Sequence, residues 1–185
     1  MASAFAHILT AYAVKKFSNN PLFNKKFFFL VAVSSIMPDL DVIAFHFGIA
    51  YGDLWGHRGI THSLFFALIW SLILWCAMLK TTDYRHCQFL SKTSFIAILI
   101  LFISTSSHGF LDAMTNGGLG VAFFSPFDTT RYFLPWQPIQ VSPIGISAFF
   151  SSAGSRVILS ELIWIGIPCL ACLTLISFRK TKFSS

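Results

Sequence analysis

The chain has 185 residues, of which 55% are hydrophobic and 11% charged, and its 13 basic and 7 acidic residues give a net charge of +6. Soluble domains carry about 25% charged residues. This composition therefore excludes a soluble globular protein and indicates a membrane protein. The positive charge does not indicate a nucleic-acid partner, because the lysines and arginines lie between apolar stretches and do not interleave with aromatic residues on a polar surface.

The apolar stretches predict one domain over residues 1–185, an all-α polytopic transmembrane bundle of about five helices. The predicted helices cover residues 2–16, 27–47, 60–79, 93–114 and 157–178. Pro38 is expected to kink or break the second helix, because its ring removes a backbone donor. Residues 116–145 form a long polar loop between the fourth and fifth helices, since glycine and proline interrupt any helix there. The N-terminus lacks a basic region and a cleavage site, so we expect no removable signal peptide.

Basic residues predict the orientation of the bundle, because short cytoplasmic loops retain lysine and arginine. Ten of the 13 basic residues lie in or beside alternate connections and the C-terminal tail: Lys15, Lys16, Lys25, Lys26, Lys80, Arg85, Lys92, Arg179, Lys180 and Lys182. This distribution fits five crossings with an outside N-terminus and a cytoplasmic C-terminus. Arg58, Arg131 and Arg156 fall on the outer side. The four cysteines have no ladder of spacings and are interpreted as buried thiols.

Under this topology, the outer end of the bundle collects most of the acidic and histidine side chains of the predicted helices. The residues that reach this end are Asp39, Asp41, His57, His62, His108 and Asp112. The topology used lysine and arginine alone, so this convergence is an independent observation. Ionisable groups at membrane depth are costly and need a partner or a metal. The sequence therefore predicts a shared site at the outer face.

The spacing of these residues suits a metal ion. His108 and Asp112 are four residues apart on a predicted helix, so both project from one face. The break at Pro38 lets Asp39 and Asp41 leave helical spacing and converge on one centre. His57 and His62 flank a predicted turn at Gly59 and need not point apart.

A mixed set of histidine and carboxylate ligands favours zinc, with manganese as the alternative. Such a metal lowers the pKa of bound water towards 7 and provides a hydroxide nucleophile. Asp39 or Asp41 is the candidate general base. Arg58 and Arg131 are candidate catalytic or substrate-binding cations, because a guanidinium pairs with phosphate or carboxylate groups. Anchoring to lipid headgroups is the alternative role of both arginines. The expected substrate is a lipid or another amphipathic molecule at the bilayer surface.

Several short motifs together resemble those of the YdjM-like proteins, a family of bacterial inner-membrane-bound metal-dependent hydrolases. The matching elements, in chain order, are His7 in AHILTAY, MPDLD at 37–41, HRGITHS at 57–63, SHGFLDAMTNGG at 107–118, and Pro126, Phe127, Arg131, Pro135 and Trp136. They cover most of the chain. That family is distantly similar to zinc-dependent phospholipases C and single-strand nucleases, which are helical enzymes that cleave phosphoesters.

The resemblance implies a bacterial inner-membrane location, hydrolase activity and a metal site whose ligands are His7, Asp39, His62, His108 and Asp112. The soluble relatives carry further histidines after the His-x-x-x-Asp pair, whereas this sequence has none beyond His108. One or two metal ions are therefore expected here instead of three.

Two other classes of function remain open on the sequence. In a metal-free membrane phosphatase, the histidine of the His-x-x-x-Asp pair is itself the nucleophile, but the remaining motifs of that class are absent from the sequence. The second class is a non-enzymatic protein, in which the site binds or transports a metal or has a structural role. No inverted repeat supports transport by a single chain, and the absence of HExxH disfavours proteolysis.

Overall fold

The computed structural model describes residues 1–18, 20–143 and 149–182, with the backbone alone for 179–182. Within these ranges the chain is helical and contains no strand, which confirms the predicted all-α class. The elements are α1 (Ala4–Lys16), α2 (Lys25–Ile36), a 3₁₀ segment (Met37–Phe47), a short 3₁₀ turn (Ile60–His62), α3 (Leu64–Met78), α4 (Lys92–Ala113), α5 (Ser152–Glu161), a π-helical turn (Leu162–Gly166) and α6 (Ile167–Lys182). α5, the π turn and α6 are consecutive and form one long helix.

Polar residues just before three of the helices explain where those helices begin. The side chain of Asn24 accepts hydrogen bonds from the backbone N–H groups of Lys26 and Phe27 at the start of α2. Ser63 and Ser91 cap α3 and α4 in the same way. Each cap satisfies backbone donors that the first helical turn leaves without a partner.

At Pro38 the chain passes from an α-helix to a 3₁₀ helix with no loop between them. α2 stops at Ile36, and the chain continues as a 3₁₀ helix from Met37 to Phe47. The segment ends at Gly48, whose φ of 75° is a left-handed conformation that glycine adopts without strain. The break predicted at Pro38 is therefore a change of helical pitch, and it carries Asp39 and Asp41 out of α-helical register.

Three helical stretches are long and apolar enough to cross a membrane, namely Lys25–Phe47, Lys92–Ala113 and Ser152–Phe178. The 22 residues of α4 span about 33 Å, close to the roughly 30 Å thickness of the hydrocarbon core. α1 and α3 have 13 and 15 residues and are shorter than a full crossing. The topology of five crossings stays a prediction.

α4 lies at the centre of the bundle and packs against α1, α2 and α3. An apolar core that includes Phe27, Trp75, Tyr84 and Leu101 fills the half of the bundle that contains the start of α4. Towards the other end of α4 the buried residues become polar, and the hydroxyls of Ser34 and Thr105 bond each other at 2.6 Å. Small hydroxyl residues let α2 and α4 approach closely there.

The long loop after α4 closes the end of the bundle that collects the acids and histidines. It is non-helical from Thr115 to Pro143, as predicted, and isolated bridges join Thr115 to Ile139 and Val121 to Tyr132. The last two residues of the predicted loop, 144 and 145, lie outside the described residues. The last helix begins at Ser152, five residues earlier than predicted.

Candidate metal centre

Four side chains from three parts of the chain meet at the loop-covered end of the bundle. Asp39, His62, His108 and Asp112 each offer one ligand atom, and these atoms lie within 4.8 Å of one another. His108 Nε2 lies 3.2 Å from Asp39 Oδ1. His62 Nε2 lies 3.6 Å from Asp112 Oδ2 and 3.7 Å from Asp39 Oδ1. We call these four residues the four-ligand cluster.

The facing atoms of the four-ligand cluster are buried and lack hydrogen bonds. Asp39 Oδ1, His62 Nε2, His108 Nε2 and Asp112 Oδ2 have no hydrogen-bond partner among the described residues. Asp112 Oδ2 has a charged neighbour, because Arg58 Nε lies 3.1 Å away. A buried polar atom left in this way costs about 1–3 kcal/mol. A tetrahedral cation with zinc-like bond lengths holds its ligand atoms about 3.4 Å apart. Three of the six separations in the cluster are 3.2–3.7 Å, and all six are within 4.8 Å. The residues present therefore fit a single divalent cation.

The second nitrogen of each histidine in the cluster has a partner that orients its ring. His108 Nδ1 donates to the carbonyl oxygen of Ser35 at 2.7 Å, which leaves the lone pair of Nε2 facing the cluster. His62 Nδ1 lies 3.1 Å from Asp41 Oδ2 and 3.1 Å from the Thr61 hydroxyl. Partners of this kind set the tautomer of a metal-binding histidine.

Asp41 lies beside the four-ligand cluster and receives donors on both carboxylate oxygens. Its Oδ1 pairs with His57 Nδ1 at 2.6 Å. Its Oδ2 accepts from the Thr61 hydroxyl at 2.7 Å and the Arg58 backbone N–H at 3.1 Å. Asp41, His57 and His62 also form a compact group, but 2.6 Å is a hydrogen-bond distance, shorter than the separation of two ligands on one ion. Asp41 therefore orients the rings of His57 and His62.

Carboxylates surround His62, which lies in the turn before α3. Asp41 Oδ2 lies 3.1 Å from its Nδ1, and Asp112 Oδ2 and Asp39 Oδ1 lie 3.6 Å and 3.7 Å from its Nε2. The position at Nε2 thus attracts positive charge strongly. A cation can bind at Nε2 when this nitrogen is deprotonated.

Arg58 is fully buried, and each of its guanidinium nitrogens has a polar neighbour. Nε lies 3.1 Å from Asp112 Oδ2, and Nη1 and Nη2 donate to the Gly117 carbonyl and the Thr115 hydroxyl, each at 2.9 Å. Its φ of 61° lies in the left-handed region, where strain persists only when the surroundings impose it. Arg58 balances the charge of Asp112 and ties the loop after α4 to the cluster.

Arg131, the other predicted substrate-binding cation, lies outside the four-ligand cluster. Its guanidinium donates to the backbone carbonyls of His57, Tyr51 and Asp53 at 2.9–3.1 Å. It also lies over the Tyr51 ring, 5.7 Å from the centroid. These contacts hold the segment that carries His57. The predicted substrate-binding role of Arg131 stays a prediction.

The N-terminal segment also contacts the cluster. The backbone N–H of Ala2 donates to Asp112 Oδ1 at 2.7 Å. The His7 ring stacks on the His108 ring with centroids 3.7 Å apart, and His7 Nε2 lies 3.8 Å from Asp112 Oδ1. Neither nitrogen of His7 has a hydrogen-bond partner in the part of the chain that the structure describes. His7 therefore lies at the edge of the cluster with a nitrogen available to a ligand.

Close backbone approach at Gly109 lets α4 meet the turn that carries His62. A Cβ added at Gly109 would lie 2.8 Å from the His62 carbonyl oxygen and 3.3 Å from the Phe123 ring. A larger residue there would push the turn away from His108. Glycine thus permits the approach of His62 to His108.

The structure brings together most of the residues singled out from the sequence and adds several others. Asp39, His62, His108 and Asp112 form the centre, while His7, Asp41, His57 and Arg58 surround it. Sequence reasoning missed the Ser35 carbonyl, the Thr61 and Thr115 hydroxyls and the Ala2 N–H. Thr61 lies within a motif and was a visible signal, but backbone groups have no signature in a sequence.

Comparison with known proteins gives two matches. Residues 1–183 match the family described as YdjM inner membrane protein. Inner membrane protein YbcI of Escherichia coli (strain K12) is 38% identical over 153 residues, which cover 80% of this chain and 81% of that protein. No solved structure matches this chain. Both descriptions name the inner membrane, in agreement with the long apolar helices.

Proposed function

Because the chain belongs to the YdjM inner membrane protein family, we propose that its four-ligand cluster binds a divalent cation and that the protein is a membrane-embedded metal-dependent hydrolase. The observation that carries this proposal is the set of four facing, buried nitrogen and oxygen atoms without hydrogen bonds. Buried polar atoms are normally paired. A cation is the simplest partner that satisfies all four at once.

The donor set supports zinc as the cation, with manganese as the alternative. Two imidazole nitrogens and two carboxylate oxygens suit zinc in tetrahedral geometry. None of the four cysteines belongs to a candidate metal-binding group among the described residues. His7 Nε2, 3.8 Å from Asp112 Oδ1, is positioned to supply a fifth ligand.

A cation bound there would supply a Lewis acid and a water of lowered pKa for hydrolysis. Asp39 is the member of the cluster with the largest exposure, its side chain being 16% exposed, so it lies on the side from which substrate and water enter. We assign the acceptance of a proton to its carboxylate. Asp41 orients His57 and His62, and Arg58 compensates the charge of Asp112.

We propose that the substrate is a phosphoester or another lipid-like molecule at the membrane surface and that the site faces the periplasmic side. The C-terminus is then cytoplasmic. Lys15, Lys16, Lys25 and Lys92 lie at the ends of α1, α2 and α4 opposite the cluster, and basic residues favour the cytoplasmic side. Topology reporters fused to the C-terminus test this orientation, and a periplasmic signal contradicts it.

Metal content of the purified full-length protein tests the central proposal. We expect about one zinc per chain, with its loss in His108→Ala and Asp112→Ala. His46→Ala is the matched control, because His46 is exposed on the same 3₁₀ segment as Asp39. Circular dichroism establishes that each variant remains folded. A wild-type protein without metal, or folded ligand variants that keep it, rejects the site.

Hydrolysis is tested separately with bis(p-nitrophenyl) phosphate and with phospholipid in mixed micelles. We expect turnover that requires zinc and is lost in Asp39→Asn. Zinc binding without turnover of either class of phosphoester contradicts the hydrolase and keeps the metal site.

The near-complete burial of the cluster favours one alternative, a metal-binding or transport protein without catalysis. His62, His108 and Asp112 side chains are 0% exposed, as in structural sites whose ligands enclose the ion. Zinc uptake into sealed vesicles that contain the protein distinguishes transport from hydrolysis. Bound zinc with neither uptake nor turnover indicates a structural site.

A further inference from the structure

Glu161 is the only glutamate of the chain and lies inside its last apolar stretch. That stretch, Ser152–Phe178, is apolar enough to span the membrane, and Glu161 is buried there, with 7% of its surface exposed. An ionisable residue within a membrane-spanning helix is costly and needs partners. Glu161 belongs to neither of the candidate metal-binding groups among the described residues. Its role must therefore come from its other contacts.

The partner of Glu161 is Ser3, the residue just before α1. Glu161 Oε1 accepts a hydrogen bond from the Ser3 backbone N–H, and Oε2 accepts a second one from the Ser3 hydroxyl. Both contacts are buried and join residues 158 positions apart in the chain. Two hydrogen bonds from one residue to the two oxygens of a carboxylate fix orientation as well as distance. The last helix therefore holds the start of α1 in a defined position.

The hydroxyl of Ser3 is oriented by Glu161 and not by the helix that Ser3 precedes. A serine at this position ordinarily accepts a hydrogen bond from a backbone N–H group of the first helical turn. Ser63 and Ser91 do so at α3 and α4, whereas the Ser3 side chain makes no capping hydrogen bond at α1. The side chain of Ser3 thus serves the contact between the first and last helices.

The residue before Ser3 contacts a member of the four-ligand cluster. The Ala2 backbone N–H donates to Asp112 Oδ1 at 2.7 Å. On the other side of Ala2, the Met1 carbonyl accepts a hydrogen bond from the Ser142 N–H at 2.8 Å. While Ala2 binds Oδ1, the other oxygen of Asp112, Oδ2, faces the cluster. The position of the Ala2 N–H therefore contributes to the orientation of the Asp112 carboxylate.

We propose that Glu161 is a positioning residue, which acts through Ser3 to hold the Ala2 N–H on Asp112 and so orients this carboxylate towards the cluster. The effect on a bound cation rests on the proposed function, whereas the contact of Glu161 with Ser3 needs no metal. Groups that bind the ligands of a metal, and not the metal itself, set ligand orientation and metal affinity. The last helix thus supports the cluster without contributing a ligand to it.

Zinc affinity of the folded full-length protein, measured by chelator competition in detergent, tests the positioning role. Glu161→Leu removes both hydrogen bonds at similar size, and we expect it to weaken zinc binding by about tenfold or more. Glu161→Gln is the conservative rescue, because its amide oxygen can accept from the Ser3 N–H while its NH₂ group donates to the Ser3 hydroxyl oxygen. We expect this variant to bind zinc as the wild type does.

Ser155→Leu is the matched control for Glu161→Leu, because Ser155 is exposed on the same helix and its hydroxyl donates to the Ser152 carbonyl of its own turn. We expect the control to keep wild-type affinity. A folded Glu161→Leu that also keeps wild-type affinity overturns the proposal. Equal losses in Glu161→Gln and Glu161→Leu overturn it as well, because they assign the effect to the charge of the carboxylate and not to its hydrogen bonds.

Hydrogen–deuterium exchange of the metal-free protein tests the contact without zinc. We expect Glu161→Leu to speed exchange of the amides of residues 3–10 at least about tenfold, a factor that the loss of two hydrogen bonds exceeds, and to leave α4 unchanged. Ser3→Ala removes one of the two bonds and should speed this exchange about fivefold, which provides the test if Glu161→Leu fails to fold.

Exchange at the wild-type rate in these folded variants overturns the proposal. Acceleration of the same size throughout α4 also overturns it, because it indicates a general loss of stability instead of a released segment. A wild-type protein that binds no zinc rejects the proposed function, and exchange then still decides whether Glu161 holds the N-terminal segment.

Discussion

Replacing Asp41 with asparagine tests whether Asp41 orients the metal ligands or is itself a ligand. His57 Nδ1 lies 2.6 Å from Asp41 Oδ1. Asp41 Oδ2 accepts hydrogen bonds from the Thr61 hydroxyl at 2.7 Å and the Arg58 backbone N–H at 3.1 Å, and it lies 3.1 Å from His62 Nδ1. Asparagine keeps the shape but offers a single acceptor oxygen, and its NH₂ group opposes donors. His62 then loses the carboxylate that sets its tautomer. Carboxylates that support metal-binding histidines are worth about 10- to 100-fold in metal affinity.

We therefore expect Asp41→Asn to weaken zinc affinity by about 10- to 100-fold, or about 1.4–2.8 kcal/mol. Competition with a chromophoric chelator in detergent measures the dissociation constant. Asp128→Asn is the matched control, because Asp128 is an exposed acid in the loop at the same end, where Thr130 and Tyr132 bind its carboxylate. Complete loss of zinc, as in His108→Ala, would make Asp41 a direct ligand. Affinity equal to that of the control would refute its orienting role.

Three further predictions concern the surroundings of the cluster. Arg58→Met leaves Asp112 without its buried cation, and we expect chemical denaturation in detergent to show a loss of about 3–5 kcal/mol; an unchanged midpoint contradicts this. Gly109→Ala forces a Cβ to within 2.8 Å of the His62 carbonyl and should lower zinc content and thermal midpoint together, whereas Gly52→Ala, with open space around it, should change neither. A chelator should lower the melting temperature of the wild type but not of His108→Ala, because a cation that binds the folded state stabilises it; equal shifts would place the stabilising ion elsewhere.

Composition and periodicity were sufficient to predict the fold class. The apolar stretches that end at Phe47 and that follow Ser91 correspond to observed helices, because roughly 20 apolar residues in succession have few other stable arrangements in a bilayer. Pro38 was correctly identified as an irregularity. Its result, a 3₁₀ segment of 11 residues, depends on packing against neighbouring helices and has no signature in the proline alone.

Part of the candidate site could also be predicted from the sequence, and part could not. His108 and Asp112 were paired from their spacing, because four residues on an α-helix put two side chains on one face. Asp39 and Asp41 were expected to converge on one centre, yet Asp39 faces the cluster and Asp41 faces His57 and the second nitrogen of His62. Asp39 and Asp41 are two positions apart in a 3₁₀ helix of about three residues per turn, so their side chains point in different directions. Only the packing of the surrounding helices decides which of the two faces the cluster.

The sequence by itself determined that this chain lies in a membrane and that its acids and histidines collect at one end, since both follow from the cost of polar groups in hydrocarbon. Tertiary structure alone decided the functions of individual groups. Arg58 is the buried ion-pair partner of Asp112, and Arg131 donates hydrogen bonds to backbone carbonyls. The Ala2 N–H and the Ser35 carbonyl bind Asp112 and His108 through the backbone. Hydrogen bonds act over about 3 Å, and distances of that size between residues far apart in the chain exist only once the helices have packed.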